Sequence, residues 1–475
     1  MKKFLVLIMA VALLFLLGCD LELESPLATP NDVETPSASS PVATATPSAT
    51  SADAGNTPES TMPSSGNVSN PTGSGNASGG THSTSKPTSK PTSKPTSGTA
   101  KPTAKPTAKP TSKPTSGPTD APSKPEYPVV IVPGILATEL VCEDKVIWPF
   151  FDMDMDPSSV DKSQLFPLIT EIFGNLNMLK FTPDGVSANR VLPRRYSPVG
   201  SILKDRTYKI GVDDTYYDLA KALSDVVGSD KVFFFGYDWR MDIQYIGHAL
   251  DSYIDSVCQK TGSDKVNIIA HSMGGLVTSS YLSQTKTVKA STVITVGSPF
   301  LGSDMATELL YEKDFDRIVR SHVLPILGYG QQPRSDSSSK DKIIEVAVNA
   351  MYDVSITLPS IYGLVPGESQ ALFQQPLSTA ASMGFATSKA LCAGYAKAFS
   401  KVDHYNVIGI GSDSVQFNVS GSNYEKVMVD GDATVTKNSA CAGNLFTSNL
   451  IELRLTHVEL VTDSGSINTI IDLMY

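Results

Sequence analysis

The chain has 475 residues, of which 48 are acidic and 38 are basic, and 40% of the residues are hydrophobic. That hydrophobic share permits a large buried core, but the composition changes along the chain. Only residues 127–475 have an ordinary globular composition, at the size of one large α/β domain with insertions. Because this stretch carries 39 acidic and 28 basic residues, its charge argues against a nucleic-acid partner.

Residues 1–19 have the pattern of a lipoprotein signal peptide. Lys2 and Lys3 precede an apolar run at 4–17 that is short for a membrane-spanning helix. The sequence Leu16-Leu17-Gly18-Cys19 resembles a bacterial lipobox, in which the cysteine is lipidated after cleavage. Plain secretion and an uncleaved anchor are the alternatives. We therefore expect lipidation at Cys19 and an extracytoplasmic lipoprotein held on the membrane at the cell surface.

Residues 20–126 predict a disordered tether. They consist largely of Ser, Thr, Pro, Ala and Gly, so burial cannot offset the entropy of ordering them. A Lys-Pro-Thr repeat recurs from Ser85-Lys86-Pro87-Thr88 to Ser112-Lys113-Pro114-Thr115. The regular lysines suit an anionic cell-wall polymer as partner, although a solvated spacer is the simpler explanation.

Beyond the tether, predicted strands and helices alternate. Apolar runs predict buried strands at 127–132, 231–236, 266–269, 293–296 and 407–410, while helical spacing predicts helices at 216–227, 243–259 and 467–474. Val427-Met428-Val429 predicts a further, late strand. This alternation is typical of the α/β class with a mostly parallel central sheet.

Two insertions interrupt the alternation. Residues 142–208 look irregular, and their aromatic residues, such as Trp148, predict either a lid that contacts lipid or simple packing beneath a loop. Residues 304–403 lack strand signals and predict a cap with helices near 343–351 and 391–399.

A serine lies where the strand at 266–269 meets a helical pattern, in Ala270-His271-Ser272-Met273-Gly274. A nucleophile on such a sharp turn is exposed above the sheet edge, and small neighbours let the backbone turn. Ala270 departs by one methyl group from the usual Gly-x-Ser-x-Gly pattern. On its own, the match fits an ordinary strand-to-helix loop equally well.

A reactive serine needs an imidazole as base and an acid that orients the imidazole. In α/β hydrolases the chain order is serine, acid, histidine, and only His404 and His457 follow Ser272 late enough to be considered. His457 follows both Asp430 and Asp432, so it is the better base. We select Asp432 because Gly431-Asp432-Ala433-Thr434-Val435 predicts a tight loop that presents this side chain, whereas Asp430 suits the end of a strand.

Two backbone amides are candidates for an oxyanion hole. In this architecture one donor comes from the residue after the nucleophile, here Met273, and the other from the loop after an early strand. That loop is Pro133-Gly134-Ile135-Leu136-Ala137, and the candidate donor within it is the amide of Leu136. A simple strand-ending turn is the alternative reading of the loop.

Together these blocks resemble the lecithin:cholesterol acyltransferase family, including its phospholipase and phospholipid:diacylglycerol acyltransferase relatives. The blocks that carry the resemblance span nearly all of 127–475 and are Val132-Pro133-Gly134-Ile135-Leu136, Tyr237-Asp238-Trp239-Arg240, Ala270-His271-Ser272-Met273-Gly274, Gly297-Ser298-Pro299, Pro359-Ser360-Ile361-Tyr362-Gly363-Leu364-Val365-Pro366, Gly431-Asp432-Ala433-Thr434-Val435 and His457. The resemblance implies an α/β-hydrolase fold with cap and lid insertions. It also implies that Ser272, Asp432 and His457 form a triad and that Leu136 and Met273 are the oxyanion donors.

The cysteines depart from the family pattern in one place. Family members often close the lid with a disulfide around a tryptophan, but no second cysteine follows Cys142 before Cys258. By resemblance, Cys392 and Cys441 flank the Asp432 loop as a second family disulfide does. Cys142 and Cys258 are left open as free or paired.

The sequence therefore predicts an extracytoplasmic serine lipase, phospholipase or O-acyltransferase that acts on lipid esters through an acyl-serine intermediate. No metal or other cofactor is expected. Two alternatives stay open at this point. One is an esterase for acyl groups on cell-wall polymer or polysaccharide, and the other is a noncatalytic surface binding module on a hydrolase fold.

Overall fold

The computed structural model describes residues 127–149, 165–194, 198–205, 209–314 and 349–474. The predictions for the signal peptide, Cys19 and the tether lie outside the described residues, as do most of the helix predicted near 343–351 and part of the lid-like insertion.

Within these ranges the strands are β1 Val129–Val132, β2 Leu140–Cys142, β3 Lys145–Trp148, β4 Val191–Pro193, β5 Val232–Phe234, β6 Val266–His271, β7 Ala290–Val296, β8 Asp403–Gly409, β9 Ser412–Ser420, β10 Asn423–Gly431 and β11 Leu450–Leu453. Six of them form one parallel sheet in the order β5-β1-β6-β7-β8-β11. The α/β class with a parallel central sheet is therefore confirmed.

The α-helices are α1 Leu165–Met178, α2 Gly200–Asp205, α3 Tyr217–Val227, α4 Ile243–Thr261, α5 Met273–Gln284, α6 Asp304–Thr307, α7 Pro359–Gly363, α8 Thr379–Phe399, α9 Lys437–Ala440, α10 Glu459–Thr462 and α11 Ser464–Asp472. Short 3-10 turns lie at Val212–Asp214 and Ser369–Leu372, and a π-helix lies at Glu308–Glu312. Helix α4 shows how they form. Asp242 caps its first turn by accepting a hydrogen bond from the Gln244 amide, and Ile246, Leu250 and Ile254 recur on its buried face.

Helices cover both faces of the sheet, which explains why its central strands are apolar throughout. Every residue of β1 and β6 is buried. Alternate residues of β1 point to opposite faces, so Val130 and Val132 join one hydrophobic cluster while Val129 and Ile131 join the other. The carboxyl end of the sheet is thus supported from two sides, which suits it to hold a site.

The insertion at 142–208 is more regular than the sequence predicts. Strands β2, β3 and β4 form a small antiparallel sheet in the order β3-β2-β4, and α1 follows as a 14-residue helix. The strands are only three or four residues long, too short to show alternation.

The late strand predicted at Val427-Met428-Val429 belongs to a separate hairpin. Strands β9 and β10 pair antiparallel along their whole length, and Gly431 returns to a position opposite Ser412. Because β9 begins three residues after β8 ends, the hairpin leaves the sheet and brings the chain back to the end of β8. The residue that follows the hairpin is Asp432.

Candidate active site

Ser272 lies between β6 and α5 in a strained backbone conformation, with φ 55° and ψ −127°. Its amide donates to the Val296 carbonyl at 2.9 Å, which fixes the turn against β7. A Cβ added to Gly274 would lie 2.2 Å from the Val132 carbonyl oxygen, so only glycine permits this close approach. Ala270 is fully buried within β6, so the structure accommodates its methyl group.

The loop after β1 lies directly against the serine. A Cβ on Gly134 would be 2.9 Å from the Ser272 Cβ. Leu136 adopts a left-handed conformation with φ 64°, and its carbonyl accepts a hydrogen bond from the Trp148 indole at 2.7 Å. The amides of Leu136 and Met273 have no hydrogen-bond acceptor among the residues that the structure describes, which is compatible with the predicted role of both as oxyanion donors.

Asp432 and His457 form a buried hydrogen-bonded pair. The His457 Nδ1–H donates to Asp432 Oδ2 at 2.7 Å, and the His457 amide donates to the Asp432 carbonyl at 2.9 Å. The other carboxylate oxygen accepts from the amides of Thr434 and Val435 at 3.0 and 2.7 Å. Ser272, Asp432 and His457 are 8%, 1% and 7% exposed, so water has little access to any of them.

The rejected acid and bases lie elsewhere. Asp430 is exposed and accepts from the Gly411 amide. His404 is stacked on Phe399, 4.1 Å between ring centroids, and its Nε2 lies 2.9 Å from the Thr295 hydroxyl. Burial lowers the pKa of His404 to about 3, which is typical of a neutral core histidine. His82 and His322 lie outside the described residues.

His271, to which the sequence patterns assign no role, lies within the site. Its Nδ1 lies 2.8 Å from the Tyr216 hydroxyl, and its Nε2 lies 3.1 Å from the His457 carbonyl oxygen. Tyr216 in turn accepts a hydrogen bond from the Gly134 amide at 3.0 Å. These contacts join segments up to 186 residues apart, so no local pattern could have revealed them.

The block Tyr237-Asp238-Trp239-Arg240 fastens two parts of the site. The Tyr237 hydroxyl donates to the Pro133 carbonyl at 2.6 Å, and the Trp239 indole donates to the Thr138 carbonyl at 3.2 Å. The fully buried Arg240 pairs with both carboxylate oxygens of Asp238 and donates to the Leu179 carbonyl at 2.9 Å. The block therefore holds both the loop after β1 and the end of the insertion helix α1.

A cavity of about 180 Å³ opens beside Ser272 and His457. Most of its lining side chains are large and apolar, and they come from the insertions at 142–208 and 304–403 as well as from the sheet. They include Trp148, Leu176, Leu179, Trp239, Met305, Leu309, Met351, Val354, Leu358, Ile361 and Leu364. Trp148 is 2% exposed and packs edge-on against Trp239, so it is a wall of this cavity and not a surface residue.

The disulfide implied by the family resemblance is not present in the structure. All four cysteines of the described ranges are free thiols. Cys392 points from α8 toward the Phe300 carbonyl, 3.5 Å away, whereas Cys441 is buried in a small cluster with Ile408 and Val435. Different neighbours therefore hold the two thiols. Burial raises the pKa of each thiol.

The described residues contain neither a cluster suited to hold a metal ion nor a helix suited to cross a membrane. No group of three His, Cys, Asp or Glu side chains in these ranges is placed to hold a metal ion. Among the helices that the structure describes, none is both long and apolar enough to cross a membrane.

The parallel sheet, the strained serine between β6 and α5, and a late acid and histidine at the same sheet edge are the features of the α/β-hydrolase fold. Residues 209–324 match the sequence profile described as "Lecithin:cholesterol acyltransferase". This segment is thus similar to that family, and the resemblance predicted from the motifs is confirmed. It contains Tyr237 to Arg240 and Ser272, while Asp432 and His457 lie beyond it.

Individual proteins match more weakly. A triacylglycerol lipase of Pseudarthrobacter phenanthrenivorans is 42% identical over 60 residues, which cover 13% of this chain and 18% of that lipase. This chain thus spans less than a fifth of the length of the relative. A chain of the Tle4-Tli4 complex matches with 12% identity and a TM-score of 0.40, covering 73% of this chain and 98% of its own. The lipase BlEst2 of Bacillus licheniformis, in its mature form, matches with 14% identity and a TM-score of 0.34 over 75% of this chain and 96% of its own.

Proposed function

We propose that this chain is a serine-dependent acyl hydrolase that cleaves the ester bonds of lipids through an acyl-Ser272 intermediate. The observation that carries the proposal is the placement of an apolar cavity beside Ser272 and the buried Asp432–His457 pair.

The chemistry follows from which atoms are already engaged. Because His457 Nδ1 donates to Asp432, Nε2 is the nitrogen left to accept the Ser272 proton. Ser272 Oγ attacks the ester carbon, and the amides of Leu136 and Met273 stabilise the negative oxygen that forms. The ester C–O bond then breaks, and His457 returns the proton to the departing alcohol.

The same groups release the acyl chain. His457 takes a proton from water, the resulting oxygen nucleophile attacks the acyl-serine carbonyl, and the proton returns to Ser272 Oγ as the carboxylic acid leaves. An alcohol in place of water would give acyl transfer by the identical steps. Product analysis with a labelled phospholipid and an added alcohol separates the two outcomes, because free fatty acid and a new ester are distinct products.

The cavity favours a fatty acyl group over an acetyl group. Each methylene that moves from water into an apolar site contributes about 0.8 kcal/mol, so an acyl chain with six more methylenes than acetyl gains on the order of 5 kcal/mol. Lining residues such as Leu179, Leu309 and Leu358 offer such a site and few polar groups. An esterase for acetyl groups on cell-wall polymer or polysaccharide would gain little binding free energy from this apolar lining. Comparing lipid vesicles with soluble acetyl esters tests the preference.

We further propose that the enzyme works outside the cytoplasmic membrane, held there by diacylglycerol on Cys19 and spaced from it by residues 20–126. The lipobox pattern and the Lys-Pro-Thr repeats support this proposal. Replacing Cys19 by serine should move the protein from the membrane fraction to the soluble fraction. An unchanged membrane fraction would rule out the lipid anchor.

The serine assignment has a direct test with a matched control. A fluorophosphonate should label the wild-type protein and the Ser279→Ala variant, whose lost hydroxyl lies buried on the same helix α5. Ser272→Ala should lose both the label and esterase activity, by on the order of 10⁴-fold or more. If Ser272→Ala keeps full activity, or if the wild type shows no turnover of any ester, the chain is not a serine hydrolase and the binding-module alternative gains support.

A further inference from the structure

A chain of four polar groups runs beneath the nucleophile and ties two active-site loops together. The Gly134 amide donates to the Tyr216 hydroxyl at 3.0 Å, the hydroxyl contacts His271 Nδ1 at 2.8 Å, and His271 Nε2 contacts the His457 carbonyl at 3.1 Å. One end is the loop after β1, and the other is the residue assigned as base. His271 itself immediately precedes Ser272.

The direction of each hydrogen bond is fixed by the ends of the chain. A backbone carbonyl can only accept, so His271 Nε2 must carry a hydrogen toward His457. A neutral imidazole has one N–H, so Nδ1 is an acceptor and the Tyr216 hydroxyl donates to it. The same hydroxyl oxygen accepts from the Gly134 N–H, so every group in the chain has a partner.

The surroundings keep both side chains in the required neutral form. Tyr216 and His271 are 1% and 5% exposed. Burial, together with repulsion between the two imidazoles if both were protonated, lowers the pKa of His271 to about 3, and burial raises the pKa of Tyr216 well above its ordinary value of 10. At neutral pH there is thus one arrangement of protons.

We infer that Tyr216 and His271 are positioning residues that hold the oxyanion loop and the His457 loop at a fixed separation on either side of Ser272. The inference rests on the proposed serine chemistry. Tyr216 occupies the Gly134 amide and leaves the Leu136 amide in the same loop free for an oxyanion. The His271 N–H fastens the backbone of His457 while Asp432 orients its ring.

Loss of this chain should slow chemistry more than it weakens substrate binding. Without the Tyr216 hydroxyl, the Gly134 amide and His271 Nδ1 lose their partners in a buried place, and the loop is no longer held at one position. An oxyanion donor acts only in the transition state, whereas the apolar cavity binds the acyl chain of the substrate in ground and transition states alike. We therefore expect kcat to fall and KM to change little.

Tyr216→Phe, compared with Tyr281→Phe, is the first test. Tyr281 is a suitable control because it is equally buried and its hydroxyl also accepts from a backbone amide, that of Lys289 at 3.0 Å, away from the cavity. For a soluble medium-chain ester we expect Tyr216→Phe to lower kcat about 10-fold or more with KM within about 2-fold, on the scale of a displaced catalytic loop. Tyr281→Phe should keep both constants within about 2-fold.

Two further measurements separate positioning from general stability. His271→Gln retains an amide N–H for the His457 carbonyl and should keep more activity than His271→Leu, which retains none. Nitrogen-15 NMR of the folded wild type at pH 7 should assign His271 as the neutral tautomer protonated at Nε2, whatever the activity.

Three outcomes overturn the inference while leaving the proposed function intact. Each assumes a wild type that is active and labelled by the fluorophosphonate. The first is a Tyr216→Phe variant as active as Tyr281→Phe. The second is equal activity of the two His271 variants, and the third is a wild-type His271 protonated at Nδ1. If the wild type itself is neither labelled nor active, the proposed function fails instead. The tautomer then still reports whether the hydrogen-bonded chain exists.

Discussion

The two sides of the cavity are built by different physical means. The polar side consists of the loop at Gly134 to Leu136, the turn at Ser272, Asp432 and His457, and directional hydrogen bonds fix each member to another. The apolar side consists of insertion side chains such as Leu179, Val354 and Leu358, which contact one another without directional bonds and are fastened from behind, as by Arg240 at the Leu179 carbonyl. Changes on the polar side should therefore alter the rate of the chemical step, and changes on the apolar side should alter which acyl chain is accepted.

The largest effect should come from Asp432→Asn on the polar side. The amide keeps the shape of the side chain but can no longer orient and stabilise His457 as a carboxylate does, so kcat should fall by on the order of 10⁴-fold. Asp430→Asn is the matched control, because this exposed neighbour accepts only a loop amide, and its activity should stay within about 3-fold. Equal losses in the two variants would contradict the assignment of the acid.

Gly134→Ala should have the next largest effect. Its new methyl group would lie 2.9 Å from the Ser272 Cβ, so the loop must move away from the nucleophile. A displacement on that scale costs about 10²-fold in kcat/KM. At Gly367 nothing lies within 4 Å of an added Cβ, so Gly367→Ala should leave steady-state kinetics unchanged. A Gly134→Ala enzyme with wild-type kinetics would mean that the polar side tolerates movement.

On the apolar side, Val354→Phe should change selectivity and not the chemistry. Val354 is 4% exposed and lines the cavity, and the phenyl ring of the variant would occupy part of the cavity volume. We expect the ratio of kcat/KM for long-chain to acetyl esters to fall about 10-fold, equivalent to losing one or two buried methylenes. The acetyl ester serves as the internal control. A parallel loss on both esters would show that the two sides are coupled.

Acid should destabilise the fold gradually. The pKa of His271 and that of His404 are lowered by burial to about 3 from an ordinary value of 6.5. The unfolded chain therefore binds a proton at each histidine near pH 6.5, whereas the folded chain binds it only near pH 3. The contribution of these histidines to the free energy of unfolding is thus complete above pH 6.5 and is lost as the pH falls toward 3. The slope is at most about 1.4 kcal/mol per pH unit for each histidine. Urea unfolding at pH 7, 5 and 4 measures it, and His404→Gln should reduce the slope; an unchanged slope would refute the assignment to His404.

The sequence predicts the sheet and the nucleophile turn because both are local patterns. Runs of buried apolar residues identify five of the six central strands. The chain order of Ser272, Asp432 and His457 selects three residues that the fold places at one edge of the parallel sheet. The roles of Asp432 and His457 stay predictions until the variants are measured.

What the sequence missed depends on tertiary contacts. Strands β2 to β4 are too short to show a period, and α1 contains Pro167 and Gly174 and has no acidic residue in its first turn, so it lacks the usual helix signals. His271 looks unimportant beside the serine because its partners, Tyr216 and His457, are 55 and 186 residues away. The cysteine pairing failed for the same reason, since flanking a loop does not set the distance between two thiols.

Trp148 belongs to both sides of the cavity at once. Its ring forms part of the wall that an acyl chain would touch, and its indole N–H donates to the carbonyl of Leu136, the residue proposed as an oxyanion donor. An acyl chain too wide for the cavity would displace the Trp148 ring and, through its hydrogen bond, the Leu136 peptide that must stay in position for the reaction. We therefore expect an ill-fitting acyl chain to lower both the occupancy of the cavity and the turnover of the bound ester, because one indole ring serves both functions.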